Sequence, residues 1–130
     1  MHQSYYELSN GQQAVHYIYE YNLGFSYGNA LKYVVRAGRK QNNSAESDLN
    51  KALTYITSAK NEYSFFKRMW LRIRNWLMFS FESDLTEHHI KHILTAIIRF
   101  ENPTKVAEMI VSYMNDRGIA VKDEFKQYKK

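Results

Sequence analysis

Residues 25–40 are Phe25-Ser-Tyr-Gly-Asn-Ala-Leu-Lys-Tyr-Val-Val-Arg-Ala-Gly-Arg-Lys40, and Asp48-Leu-Asn-Lys-Ala-Leu-Thr-Tyr55 follows after a short polar stretch. Apolar residues recur three or four positions apart in both segments, which predicts two amphipathic helices. The polar residues 41–44 predict a loop, and Ser44 is suited to cap a helix that begins at Ala45. We therefore expect a helical hairpin that buries one face of each helix.

The rest of the chain shows the same helical periodicity and poor strand signals. These patterns predict an all-α protein, a compact antiparallel bundle of five or six helices, with residues 1–130 forming a single domain. The expected helices span about residues 11–21, ended by Gly24; about 27–39, capped by Ser26; a segment from 45; an aromatic segment over 63–81; one opened by Asp84 and Glu87; and about 104–117, stopped by Gly118.

Charge and composition limit the classes of function. The formal net charge of +5 and the isoelectric point near 9.3 favour anionic partners. The chain has no cysteine, which excludes a disulfide framework and a thiolate metal site. No stretch approaches the roughly 20 apolar residues of a transmembrane helix. We expect a cytoplasmic protein without a transmembrane segment, whose basic tail, residues 122–130, is frayed and solvated.

Cationic and polar side chains share one face of the hairpin. Asn29, Lys32, Arg36 and Arg39 lie at i, i+3, i+7 and i+10, while Asp48, Lys51 and Tyr55 are spaced similarly on the next helix. Such a face can hold an anion between the two helices. The alternative is an ordinary solvated face, with Gly28 admitting a close helix contact and Gly38 ending its helix.

These residues also carry a resemblance to a known family. The motifs are Ser4-Tyr5-Tyr6, Phe25, Gly28-Asn29, Lys32-Tyr33, Arg36-Ala37-Gly38, Lys40, Asp48-Leu49, Lys51-Ala52 and Tyr55. Residues 1–62 resemble a family of short, mostly phage-encoded proteins whose best-known member is a nucleotide kinase that lacks a P-loop. Residues 63–130 show no such resemblance.

The resemblance implies a nucleotide or another phosphorylated small molecule as ligand, in the host cell cytoplasm. Binding is implied more firmly than catalysis, because Tyr5 stands where the family usually has a histidine, and no catalytic residue is assigned. Asp48 is expected to pair with Arg36 or Lys51, and the alternative is that it holds a magnesium ion through phosphate. Magnesium enters only if the protein transfers phosphoryl groups. The expected phosphate ligands are Lys32, Arg36, Arg39 and Lys51, and the expected base or sugar contacts are Asn29 and either Tyr33 or Tyr55.

Residues 63–81 combine cations with aromatic side chains, a composition found in nucleic-acid-binding and membrane-surface helices. The alternative is that the aromatic side chains fill the core or a subunit interface while the cations extend to water. We predict a homo-oligomer or partner interface here, formed by Phe66, Trp70, Arg72, Ile73 and Trp76. An alternative function follows, in which residues 63–130 contact a host protein and the chain is a non-enzymatic phage inhibitor of a host defence system, such as an anti-CRISPR. Nucleic-acid binding by residues 63–81 is a further alternative.

Other catalytic and metal motifs are weak or missing. His88 and His92 are four residues apart, but His89 occupies the place of the general-base glutamate of a metalloprotease, so we predict no metal site. The chain has no phosphate-binding glycine loop of the P-loop or dinucleotide type. Any phosphate site must therefore use side chains.

Overall fold

The computed structural model describes residues 4–8, 11–39, 44–62, 64–78 and 89–129. Within these ranges the chain is helical, and its only strand-like pairing is an isolated bridge between Glu7 and Gln13. The predicted all-α class is confirmed. The helices are α1 (Ala14–Glu20), α2 (Gly24–Arg36), α3 (Ala45–Ser58), α4 (Phe65–Met78), α5 (Lys91–Ile98) and α6 (Pro103–Asp116), with short 3-10 turns at Ser4–Tyr6, Ala59–Asn61 and Asp123–Tyr128.

Helices α2 and α3 form the predicted hairpin, joined at both ends by side chains. At one end, Arg36 in the last turn of α2 pairs with Asp48 in the first turn of α3. At the other end, Glu62, just beyond α3, accepts hydrogen bonds from the first turn of α2. These contacts fix the two helices antiparallel. Ser44 caps α3 as predicted, since its Oγ accepts from the Ser47 N–H at 3.0 Å.

The core lies between this hairpin and the C-terminal helices. Helix α2 packs against α1, α3 and α5, and α3 packs against α6. The predicted apolar face of α3 is fully buried, which places the opposite, polar face of the hairpin at the surface. That buried face consists of Leu49, Ala52, Leu53, Ile56 and Ala59.

Two helix boundaries differ from the predictions because tertiary contacts set them. Helix α2 begins at Gly24 and ends at Arg36, about one turn earlier than expected, and Ser26 lies within its first turn instead of capping it. The capping acceptor is Glu62, which is distant in sequence and therefore invisible to local patterns. Gly24, expected to end the first helix, opens α2 instead.

The two glycines of the hairpin have structural roles. A Cβ added at Gly28 would lie 3.1 Å from Cγ2 of Ile18, so this glycine permits the close contact of α1 with α2. Gly38 follows α2 with φ of +74°, a backbone conformation that favours glycine. Both findings confirm the structural alternative for these glycines and remove them as evidence for a ligand.

The C-terminal tail was expected to be frayed, and that prediction is wrong. Phe125 is buried in a 3-10 turn that packs against α6. Asn50 of α3 holds the preceding residues, because its Oδ1 accepts from the Lys122 N–H at 3.0 Å and its Nδ2 donates to the Ala120 carbonyl at 3.0 Å. The buried Phe125 ring and the Asn50 amide thus hold the tail against the body of the protein, although the tail is rich in charged residues.

The other helices largely agree with the sequence. Helix α6 starts at Pro103 behind an Asn102 cap and ends before Gly118, close to prediction. The aromatic segment is a separate helix, α4, because the chain turns at residues 59–61. The predicted helix start at Asp84 and Glu87 lies outside the described residues, as does His88. None of the described helices is long and apolar enough to cross a membrane.

We predict that Glu62→Ala destabilises the hairpin. Glu62 accepts from the Phe25 N–H at 3.1 Å, from the Ser26 N–H at 3.1 Å and from the Ser26 hydroxyl. Losing a helix-capping acceptor costs about 1 kcal/mol, which denaturant unfolding followed by circular dichroism can measure. Glu62→Gln keeps an acceptor and should lose less. Glu124→Ala, at an exposed position, is the control; an equal loss there would contradict this role of Glu62.

Candidate anion-binding site: the tyrosine–cation cluster

Three cations converge on the ring of Tyr33 at the surface of the α2–α3 hairpin. The Arg36 guanidinium carbon lies 4.7 Å from the ring centroid, Nζ of Lys51 lies 5.5 Å away and Nζ of Lys32 lies 5.8 Å away. The ring of Tyr55 on α3 stacks on Tyr33 with centroids 5.7 Å apart and planes inclined by 6°. We call this group, with Tyr6 and Asp48, the tyrosine–cation cluster.

Tyr6 is a member that the site prediction missed. Its hydroxyl accepts a hydrogen bond from Nη1 of Arg36 at 3.1 Å, and its ring lies 5.3 Å from Nζ of Lys32. The N-terminal 3-10 turn therefore covers one side of the cluster. The available signal was the Ser4-Tyr5-Tyr6 motif, which contributed to the resemblance without being assigned a role.

The ion pair between Arg36 and Asp48 forms the base of the cluster. Nε and Nη2 of Arg36 donate to the same Asp48 oxygen at 3.1 and 2.5 Å, and both residues are buried. The other Asp48 oxygen accepts from the Gly38 N–H at 3.2 Å, which secures the end of α2. Burial lowers the pKa of Arg36, but the hydrogen bond to Asp48 and its charge outweigh burial and raise that pKa overall.

The arrangement has an excess of positive charge. Asp48 is the one carboxylate of the cluster, and Arg36 already engages it. Lys51 is exposed and Lys32 is half-buried, so both side chains are accessible to solvent beside the Tyr33 ring. Two surface ammonium groups beside stacked aromatic rings can bind an anion that carries a flat ring, since the charges attract the anion and the rings offer a stacking surface.

Two predicted ligands lie at the margin of this arrangement. Arg39 falls in the turn after α2 and not on its face, because the helix ends at Arg36; its Nη1 donates to the Val35 carbonyl at 3.2 Å. Nδ2 of Asn29 donates to the Phe25 carbonyl at 2.8 Å, one turn back along α2. The structure thus brings together six of the eight predicted residues: Lys32, Tyr33, Arg36, Asp48, Lys51 and Tyr55.

The predicted interface on α4 lies apart from this cluster and is exposed. The exposed fractions are 77% for Phe66, 66% for Trp70 and 53% for Ile73. The alternative that these side chains fill the core is therefore wrong. Trp76 is also exposed and lies under the Arg99 guanidinium, whereas Arg72 is half-buried and its Nε donates to the Phe100 carbonyl at 3.4 Å. The role of this face as an oligomer or partner interface stays a prediction.

A second charged region lies in an open pocket of about 380 Å³ between α5 and α6. Its lining includes His89, His92, Lys105 and Glu108. None of the predicted nucleotide ligands lines this pocket. A ligand bound in this pocket therefore has to be distinguished from a ligand bound at the tyrosine–cation cluster.

Comparison with known proteins bears on the N-terminal part of the chain, which contains the tyrosine–cation cluster. No curated protein and no solved structure matched the chain. Residues 3–57 match the model of a family described only as a protein of unknown function, DUF3310. The match contains every member of the tyrosine–cation cluster and excludes α4, α5 and α6. Over residues 3–57, from the N-terminal turn through most of α3, this chain is similar to the DUF3310 family of proteins of unknown function.

Proposed function

We propose that the protein binds a nucleotide at the tyrosine–cation cluster and is a phage-type nucleotide-binding protein. It acts either by sequestering the nucleotide or as a P-loop-less nucleotide kinase. The convergence of Lys32, Arg36 and Lys51 on the Tyr33 ring is the observation that supports this proposal most strongly. The sequence resemblance over residues 1–62 supports it independently.

The three cations have different tasks in this proposal. Donors on all three guanidinium nitrogens of Arg36 are engaged by Asp48 and Tyr6, so Arg36 positions the cluster and contributes charge. Lys32 and Lys51 are the phosphate ligands, since both side chains are accessible to solvent and come from two different helices. A phosphate chain held between them would join α2 to α3.

The tyrosines supply the contact to the base. The Tyr33 and Tyr55 rings are stacked, and Phe25 meets Tyr55 edge to face at 5.5 Å. Base stacking on an aromatic ring contributes about 1–3 kcal/mol per base in proteins that bind single strands. A nucleotide should therefore bind more tightly than inorganic phosphate, which can use only the two ammonium groups.

A kinase activity places a further demand on the site. Phosphoryl transfer needs two substrates in line and neutralisation of the phosphate charge, commonly by magnesium. Asp48 already accepts hydrogen bonds from Arg36 and from the Gly38 N–H, so its role in a kinase would be to hold Arg36 in place. Magnesium would be held by phosphate oxygens and not by the Asp48 carboxylate. Nucleotide binding alone makes no such demand.

The test is a thermal-shift screen of the full chain with nucleoside mono-, di- and triphosphates and with inorganic phosphate. A saturating nucleotide raises the melting temperature, because a ligand at about 100 times its Kd stabilises the folded state by about 2.7 kcal/mol. We predict that the double variant Lys32→Ala, Lys51→Ala loses most of this ligand-induced shift. The shift is compared with each variant's own ligand-free melting temperature, since losing cation–π contacts also changes stability.

Two single variants give the screen its specificity. Lys122→Ala removes an exposed cation near the C terminus and should keep the full shift. Lys105→Ala alters the pocket between α5 and α6, and selective loss of the shift there would move the site to that pocket. A nucleotide shift that the Lys32, Lys51 double variant retains would contradict the proposal.

A separate assay distinguishes a kinase from a sequestering protein. The protein is incubated with a nucleoside monophosphate and ATP, and the products are separated.

A further inference from the structure

Helix α4 carries an apolar surface that faces away from the rest of the protein. Its inward side consists of Leu71 and Asn75, which are 4% and 0% exposed. The outward side, which we call the α4 apolar face, contains large side chains that are between 38% and 77% exposed. This face is formed by Phe65, Phe66, Met69, Trp70, Ile73, Trp76 and Leu77.

The position of each residue around the helix separates these two sides. At about 100° per residue, the α4 apolar face covers an arc of about 140° whose centre lies roughly opposite the inward Leu71 and Asn75. Outward apolar side chains therefore cannot reach the core by a change of rotamer. A contiguous group of large exposed apolar side chains is typical of an interaction site.

The cations of α4 flank this face. Lys67 and Arg74 lie along one border of the arc, and Arg68 and Arg72 lie along the other, by the same helical geometry. The helix contains no aspartate or glutamate between Phe65 and Met78. The charge of α4 is thus +4. Lys67 is exposed, and the three arginines are half-buried beside the body of the protein.

We propose that α4 binds the surface of an anionic lipid bilayer, lying in the plane of the interface. An amphipathic helix with aromatic and aliphatic side chains on one face and cations beside it inserts the apolar face below the headgroups, where the cations meet lipid phosphates. The placement of α4 fits this mode because its axis lies on the protein surface and its apolar face points outward. Binding of α4 to a bilayer is independent of nucleotide binding, which uses α2 and α3.

The charge pattern favours a bilayer over two other occupants. A second copy with two-fold symmetry would bring four cations from each α4 to one interface, with no carboxylate on either helix. Single-stranded nucleic acid would use the aromatic rings and cations, but the aliphatic Met69, Ile73 and Leu77 would be left in contact with a polar backbone. A bilayer accommodates aromatic and aliphatic side chains together.

The test uses the full chain and large unilamellar vesicles of phosphatidylcholine, with or without about 30% phosphatidylserine, which gives the vesicle a negative surface potential. Flotation measures binding. Tryptophan emission reports insertion, because the two tryptophans of the chain, Trp70 and Trp76, both lie on the α4 apolar face. We expect a blue shift with anionic vesicles and at least tenfold weaker binding to neutral ones.

Variants on the outward side test the same claim without disturbing the core. Trp70→Ser with Ile73→Ser should weaken vesicle binding at least tenfold. Lys67→Gln should weaken only the electrostatic contribution to vesicle binding, which is the contribution that added salt screens. Tyr19→Ser is the matched control, since Tyr19 is 81% exposed on α1 and its substitution should be neutral.

Absence of binding to anionic vesicles overturns the proposal, as does binding that the Trp70, Ile73 variant retains. Absence of vesicle binding, with a dimer that the same variant dissociates, would assign the face to a second copy; retention of an oligonucleotide instead would assign it to nucleic acid.

Discussion

Asp48→Ala is expected to lower the melting temperature by roughly 10 to 20 °C, because breaking a buried ion pair from one side costs about 3–5 kcal/mol. Arg36 is 4% exposed and Asp48 is 0% exposed, so the substitution leaves a buried guanidinium without its counter-ion. It also removes the acceptor of the Gly38 N–H. Thermal unfolding followed by circular dichroism measures the loss.

Paired variants separate the ion pair from general damage to the hairpin. Asp116→Ala removes an exposed aspartate at the end of α6 and should change stability by less than about 0.5 kcal/mol. Arg36→Met with Asp48→Leu removes both charges and should be more stable than Asp48→Ala, since apolar replacement of a buried pair is often neutral. If the double variant lost as much stability as Arg36→Met alone and Asp48→Leu alone added together, the ion pair would not be the source of the effect.

Asn75→Ala is expected to destabilise the protein by about 2–4 kcal/mol, because it leaves two buried carbonyl groups without their donor. Nδ2 of Asn75 donates at 2.9 Å both to the Tyr21 carbonyl after α1 and to the Ile98 carbonyl at the end of α5. This amide therefore joins α4 to two other helices. The melting temperature should fall by roughly 6 to 15 °C.

An exposed asparagine provides the matched control for this prediction. Asn115→Ala, near the end of α6, removes a side-chain amide that lies at the surface and should be nearly neutral. Asn75→Asp, which keeps the shape of the side chain but loses the donor, should be as damaging as alanine. Stability of Asn75→Asp equal to that of the unaltered protein would show that the two hydrogen bonds do not hold α4.

The fold was predictable where the signal is local. The three- and four-residue spacing of Leu49, Leu53 and Ile56 specified the buried face of α3, and the serine hydroxyl at position 44 specified its start. The start of α2 was not predictable, since Glu62 caps it from far along the chain. Phe125 likewise anchors the tail through a tertiary contact that composition does not reveal.

The candidate site was predictable in part for the same reason. Helical spacing placed Lys32 and Arg36 on one face, and the hairpin brought Asp48 and Lys51 to them. Spacing failed at Arg39, because it assumed that the helix continued beyond Arg36. Tyr6 comes from outside the hairpin, and its contact with Arg36 depends on how the N-terminal turn packs.

The face of α4 shows the limit of periodicity. The sequence gives an apolar stripe, and such a stripe usually packs into the core. Here Leu71 and Asn75 on the opposite side make the contact with the body, and the richer apolar side remains exposed. Only the position of the helix distinguishes these two outcomes.

Isothermal titration calorimetry with the nucleotide that stabilises the protein most tests the central claim directly. We predict one bound nucleotide per chain and, for the Lys32→Ala, Lys51→Ala variant, a Kd at least about tenfold higher, which corresponds to about 1.4 kcal/mol. The Lys122→Ala control should bind as the unaltered protein does. An unchanged Kd in the double variant, or no heat with any nucleotide, would contradict a nucleotide site at the tyrosine–cation cluster.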